Sequence, residues 1–181
     1  SDPGVLLFNS GTLITMSGLA RGERDVPTQQ FTVGTTGATL GDFANWVQNA
    51  IGINTTAGVP GTPGVTVANG QLVFQSNAGE PNGLSITANN FTTDNAAAPL
   101  PFTFTQTQTA DGSGVFTAYT VYDSLGTPVI VNTTFTLEAL TPTGPVWRFY
   151  AEAPDAAGGI QILGTGLVSF DTQGRFISVT G

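Results

Sequence analysis

Apolar and polar residues alternate along most of the second half of the chain. From Val129 to Ala139 every odd position is Val, Val, Thr, Phe, Leu or Ala, while the even positions are Ile130, Asn132, Thr134, Thr136 and Glu138. A period of two predicts a half-buried strand with one face on a core and one on water. Only Ile130 interrupts the polar side. The same period puts Trp147, Phe149, Ala151 and Ala153 on one face of Val146 to Ala153, and Arg148, Tyr150 and Glu152 on the other. Further strands are expected at Phe102–Thr109, Val115–Tyr122, Ile160–Asp171 and Arg175–Thr180. The connections are short and rich in turn formers: Asp111–Gly114, Asp123–Gly126, Thr141–Gly144 and Asp171–Gly174. Asp opens a type I turn by accepting a backbone N–H, and Gly closes it by tolerating positive φ. Successive strands on short connections predict an antiparallel meander, closed as a small barrel or folded as a sandwich.

The period changes to that of a helix at one place. Leu40, Phe43, Val47, Ala50 and Ile51 recur on one helical face. Thr39 stands as N-cap with Asp42 three residues on, and Gly52 follows as the stop. The expected helix is therefore about 40–51, with Trp46 at the rim of its apolar face. Short strands are expected around it, at Val5–Phe8, Thr12–Met16, Gln30–Val33 and Gly83–Thr87. Val65–Val67 and Gln71–Phe74 flank Ala68-Asn69-Gly70, and Asn-Gly between apolar runs signals a type I′ hairpin. Arg21 to Asp25 reads as a solvated charged loop. Asn89 to Pro101, rich in Asn, Asp and Ala with two prolines, reads as a linker. The fold class is mainly β with one helix. An α+β module spans 1–100 and an antiparallel β-barrel or sandwich domain spans 101–181; residues 1–30 either belong to the first module or complete the second domain.

Composition narrows the chemistry. The 181 residues contain no Cys, no His and no Lys; all four cations are Arg. Disulfides, thiolate catalysis and zinc–thiolate sites are absent together. The usual general base and nucleophile activator are absent as well. Asp123-Ser124 thus has no base to make a nucleophile, and it reads as a turn. Asp171-Thr172-Gln173-Gly174 differs from an aspartic-protease loop by one extra residue and lacks a second Asp loop. Gly164-Thr165-Gly166 precedes strand, not helix, and is no phosphate loop. The scattered acids offer no calcium loop. Asn54, Asn90 and Asn132 head Asn-x-Thr triplets that a Thr-rich chain produces by chance. No catalytic, cofactor-binding or metal residue is assigned, no cofactor is expected, and an enzyme is the least favoured class. A net charge of −8 argues against nucleic acid and against an anionic membrane surface. No run is long and apolar enough for a helical membrane span, and Ser1-Asp2-Pro3-Gly4 lacks the features of a signal peptide.

Tyr122-Asp123-Ser124-Leu125-Gly126, then Trp147, then Gly166-Leu167 and Phe170-Asp171-x-x-Gly174, resembles the outer β domain of the bacterial flagellar hook protein over roughly Phe102 to Gly181. Phe31-Thr32-Val33, Thr39-Leu40-x-x-Phe43, Gly52-Ile53, Val65–Gly70, Gln71–Ser76, Gly79 and Asn82–Ile86 are similar to a module shared by flagellins, filament caps and some hook proteins. Both in this order favour a hook protein over a flagellin. The resemblance implies an outer-domain fragment, since the heptad-like terminal helices of the family are not in this sequence. It implies a structural subunit on the outside of a self-assembling tubular polymer that transmits motor torque to the filament. Its partners would be other copies of the subunit and the hook cap during assembly. Its place would be extracellular, reached through the flagellar export apparatus without a cleaved signal, and the isolated fragment would be a monomer. The alternative is an extracellular carbohydrate-binding or adhesin module, for which Trp46, Trp147 and Tyr150 are the candidate aromatics.

Overall fold

Thr39 and Asp42 close a reciprocal cap at the start of helix α1, Leu40–Ile51. The computed structural model that shows this describes residues 9–94, 100–155 and 158–181. The Thr39 hydroxyl accepts from the Asp42 N–H at 3.0 Å, and the Asp42 carboxylate accepts from the Thr39 N–H at 2.9 Å. The Ala38 N–H also donates to Asp42, at 3.0 Å. At the far end Gly52 sits at φ 74° and its N–H reaches the Gln48 and Asn49 carbonyls, a left-handed stop that suits glycine. The apolar stripe buries Phe43, Ala44, Val47, Ala50 and Ile51.

Short strands build the surface that receives this stripe. β1 (Leu13–Met16) lies between β4 (Gln29–Thr32) and β8 (Phe91–Thr93). β2 (Ala20–Arg21) lies between β3 (Arg24–Asp25) and β7 (Leu84–Ser85). β5 (Gly64–Ala68) and β6 (Gln71–Gln75) form the expected hairpin, with Asn69 at φ 51° and Gly70 at φ 74° as a type I′ turn requires. The apolar core runs through Ile14, Met16, Phe31, Phe43, Val47, Ile51, Ile53 and Phe91. Phe43 is its centre: its ring lies 5.4 Å from Phe31, 5.5 Å from Trp46, 6.0 Å from Phe91 and 5.8 Å from Phe102.

The remaining strands, β9 (Gly114–Tyr122), β10 (Pro128–Thr141), β11 (Gly144–Pro154), β12 (Ile160–Phe170) and β13 (Phe176–Thr180), form one antiparallel meander in sequence order. This is the mainly-β architecture with one helix that the pattern predicts. Among the described residues the sheet is open, with β9 and β13 as its edges. The strands of residues 13–32 pair only with one another and with β7 and β8.

Several expectations change. Arg21 to Asp25 is not a solvated loop: it forms the β2–β3 hairpin, and Arg21 is 4% exposed. Asn89–Pro101 is not all linker: Asn89 and Asn90 end a 3-10 turn, and β8 follows, pairing with β1 and burying Phe91; residues 95–99 lie outside the described residues. Phe102–Thr109 is not a strand. Its alternation comes from Phe102 and Phe104 packing against the helix-bearing core. The expected strand at Gly83–Thr87 shortens to Leu84–Ser85. The expected strand Val5–Phe8 lies outside the described residues.

Candidate functional surface and the joint beneath it

The register of the meander separates its two faces. Phe135 stands opposite Phe149, Leu137 opposite Trp147, and Trp147 opposite Val168. With Val115, Tyr119, Val121, Val131 and Val179 in line, these make one apolar face. The other face pairs Asn132 with Glu152, Thr134 with Tyr150 and Thr136 with Arg148. Sequence periodicity predicts the first face on a core and the second on water. The structure buries the second: Thr134 is 1% exposed, Thr136 3% and Glu152 7%. On the apolar face the strands at the sheet's edges stay open, with Val115 54% and Val179 58% exposed.

The polar face is buried because it meets the helix-bearing module, and its charges find partners there. Arg21 donates from one terminal nitrogen to both Glu152 carboxylate oxygens and from the other to the Gly52 carbonyl. Arg24 donates to Glu152 and, at 3.0 Å, to the Pro81 carbonyl. Its guanidinium lies 4.7 Å from the centre of the Phe116 ring. Burial, then the neighbouring Arg21 charge, lowers the Arg24 pKa to about 10; Arg24 remains charged at neutral pH. A second pair on this face joins Arg148 to Glu138. Glycines bring the two surfaces close. A Cβ on Gly52 would stand 2.7 Å from Ile160, and one on Gly114 would stand 2.6 Å from Pro81. Two open clefts, of about 400 and 320 Å³, flank Arg24.

The turns are backbone devices. The Asp123 carboxylate accepts from the Leu125 and Thr127 N–H groups, both at 2.8 Å, and the Gly126 N–H closes onto the Asp123 carbonyl at 3.0 Å. These bonds, that from Thr127 first, hold the Asp123 pKa below its ordinary value. Asp171 repeats the arrangement with Gln173, Arg175 and Gly174. Asp155 accepts similarly from Gly159, at 2.7 Å. That third member was not singled out in the sequence, although Asp155 and Gly158 have the same spacing.

The candidate aromatics do not form a row. Tyr150 is buried on the polar face, where burial raises its pKa, whereas Trp147 is half-buried on the apolar face. Trp46 packs at 5.4 and 5.5 Å on Phe31 and Phe43, a rim contact of the other module. Asn54 and Asn90 are buried at 2% and 8% exposure. Asn90 donates to the Ser17 and Gly18 carbonyls, and the Asn54 backbone donates to and accepts from the Asn77 side-chain amide. Neither can present an amide to a glycosylating enzyme in the folded chain. Gly164 and Gly166 lie within β12, and a Cβ on Gly166 would collide with Phe149. Among the described residues no group of three His, Cys, Asp or Glu side chains converges on a metal position, and no helix is long and apolar enough to cross a membrane.

The family model for the flagellar basal body protein FlaE D2 domain matches residues 90–181, which include the whole meander. No curated protein and no solved structure matches the chain. Through that half of its length the chain belongs to the flagellar hook protein family, whose D2 domain is a structural part of the bacterial flagellum.

Proposed function

We propose that this chain forms part of the outer surface of the flagellar hook, a self-assembling tube that carries motor torque to the filament. The observation that carries the reading is the D2 family match over the residues that build the five-stranded sheet. A sheet whose polar face is bonded to a second module suits a load-bearing part. The role is structural rather than catalytic, in keeping with a chain that has no His, Cys or Lys. The chain divides near residue 100, with Phe102 and Phe104 tethering the start of the second unit to the core of the first. The first unit is a flagellin- and filament-cap-like module. Partners are other copies of the subunit and, during growth, the hook cap. Subunits reach the cell exterior unfolded through the flagellar export apparatus, a route that a chain without disulfides suits.

The isolated chain is a monomer in dilute solution. Its open apolar face offers five exposed large apolar side chains (Val115, Tyr119, Val121, Ile177 and Val179) beside half-buried neighbours. That falls short of the roughly 20–30 residues a side of a stable interface. The direct test of the assignment is immunogold labelling of intact cells with antibodies raised against this chain. Gold between the cell envelope and the filament is expected. Label restricted to the filament or to the cell body would overturn the assignment.

A further inference from the structure

We propose that Arg21, Arg24 and Glu152 form a latch that sets the orientation of the β-meander on the helix-bearing module. The inference stands on the geometry of the joint and does not depend on the hook assignment. The apolar core cluster lies wholly between Ile14 and Phe104, so it holds the first module together but does not cross into the sheet. What crosses is centred on charged groups. Glu152 is a single carboxylate between two guanidinium groups from β2 and β3, and the side chains of Arg21 and Glu152 are 5% and 9% exposed. The other approaches are small: Thr136 against Gly79, Ile160 against Gly52, Pro81 against Gly114 and the Phe116 ring under Arg24. The chain enters the sheet through Thr105–Thr109, an exposed stretch without regular structure. Beyond it the Glu80 N–H holds the Gly112 carbonyl at 3.0 Å.

A polar junction of this kind keeps its geometry only while its charges are neutralised. Two cations, one buried and one part-buried, share one anion: both are attracted to Glu152 and repelled by each other. Removing the anion leaves the buried Arg21 guanidinium uncompensated beside a second positive charge, a loss larger than that of an ordinary hydrogen bond. Glu23, Asp25 and Glu80 are exposed residues at the mouths of the flanking clefts and cannot take Glu152's central place. The cheapest relief is rotation of the sheet away from β2 and β3, which lets water reach both arginines while each module keeps its own hydrogen bonds. Junctions between units that are small and polar move by default.

The chain has no cysteine, so spin labels can be placed at will. Gln71→Cys in β6 and Gln173→Cys in the β12–β13 turn are exposed positions on the two modules. Double electron–electron resonance on the doubly labelled chain is expected to give one narrow distance distribution. Adding Glu152→Gln is expected to turn a minor second distance, populated at roughly 1% or less, into the major one. Arg24→Gln, at the rim of the cluster, should leave the wild-type distance dominant because the Arg21–Glu152 pair survives. Far-UV circular dichroism reports whether each variant is folded. An unchanged distribution in folded Glu152→Gln overturns the latch. Should Glu152→Gln fail to fold, the double variant Arg21→Gln/Arg24→Gln leaves the buried Glu152 carboxylate as the uncompensated charge and is expected to show the second distance. Unfolding of both variants would mean that the cluster is needed for folding itself, and would also overturn the latch.

Discussion

Phe43→Ala is the perturbation for which the structure gives the firmest magnitude. Phe43 is 1% exposed and sits on the second turn of α1. Its ring meets Phe31 edge-on at 5.4 Å and stacks on Phe102 at 5.8 Å, with Trp46 and Phe91 completing the enclosure. Truncating a buried Phe to Ala costs about 3–5 kcal/mol, and more where neighbours cannot collapse into the space. Here the neighbours are four rings on four separate segments, each fixed by its own packing. The expected cost is therefore in the upper half of that range, about 4 kcal/mol. Against a typical domain stability of roughly 5–15 kcal/mol, the variant keeps a fold but a markedly weaker one. Phe43→Leu retains most of the apolar volume and is expected to cost less, about 1.5 kcal/mol or below. Urea unfolding followed by tryptophan fluorescence gives both values, because Trp46 touches the same ring. A loss below about 1 kcal/mol for Phe43→Ala would refute the reasoning. It would mean that Phe102, contributed from beyond the β8 strand, does not close this core.

Other outcomes follow from single contacts. Thr39→Ala removes the acceptor for the Asp42 N–H and should lower stability by about 1 kcal/mol in thermal unfolding; no change would mean that the cap does not hold the helix. Asp123 has a folded pKa below the ordinary 3.8, so its contribution is present above that value and is lost as pH falls through the folded pKa. Asp123→Asn keeps an acceptor oxygen without the charge, and its stability should fall less steeply than wild type as pH falls below the ordinary carboxyl pKa of 3.8. Parallel slopes for the two proteins would contradict the turn's electrostatic role. Sedimentation velocity at micromolar concentration should show a single monomeric species, whereas a concentration-dependent dimer would show that the open apolar face is a sufficient interface.

Local patterns with local causes were legible in the sequence. Helix α1 runs from 40 to 51 because its apolar stripe, its Thr39–Asp42 cap and the Gly52 stop all act within one stretch of chain. Asn69-Gly70 specified its hairpin for the same reason, since the turn needs positive φ at two adjacent positions. What escaped the reading depends on partners far away in sequence. Arg21 and Arg24 look like surface charges until Glu152, 131 and 128 positions away, lies over them. Period separates the two faces of the meander and places Val131 on a buried apolar side, but it assigns the polar face to water. Thr134, Thr136 and Glu152 are polar, and a polar face reads as a wet one; only the helix-bearing module makes it buried. Phe102 and Phe104 alternate with Thr as strand residues would, yet the alternation here reports two rings packed on a core and not a sheet.

The most direct measurement is a reconstruction of the native hook by electron cryomicroscopy. The account predicts subunit density on the tube's outer surface that takes the five-stranded meander in the order β13-β12-β11-β10-β9, with Glu152 facing Arg21 and Arg24 of the helix-bearing module. Hook density that holds this sequence in the inner wall, or leaves no room for the sheet at the outer surface, would contradict it.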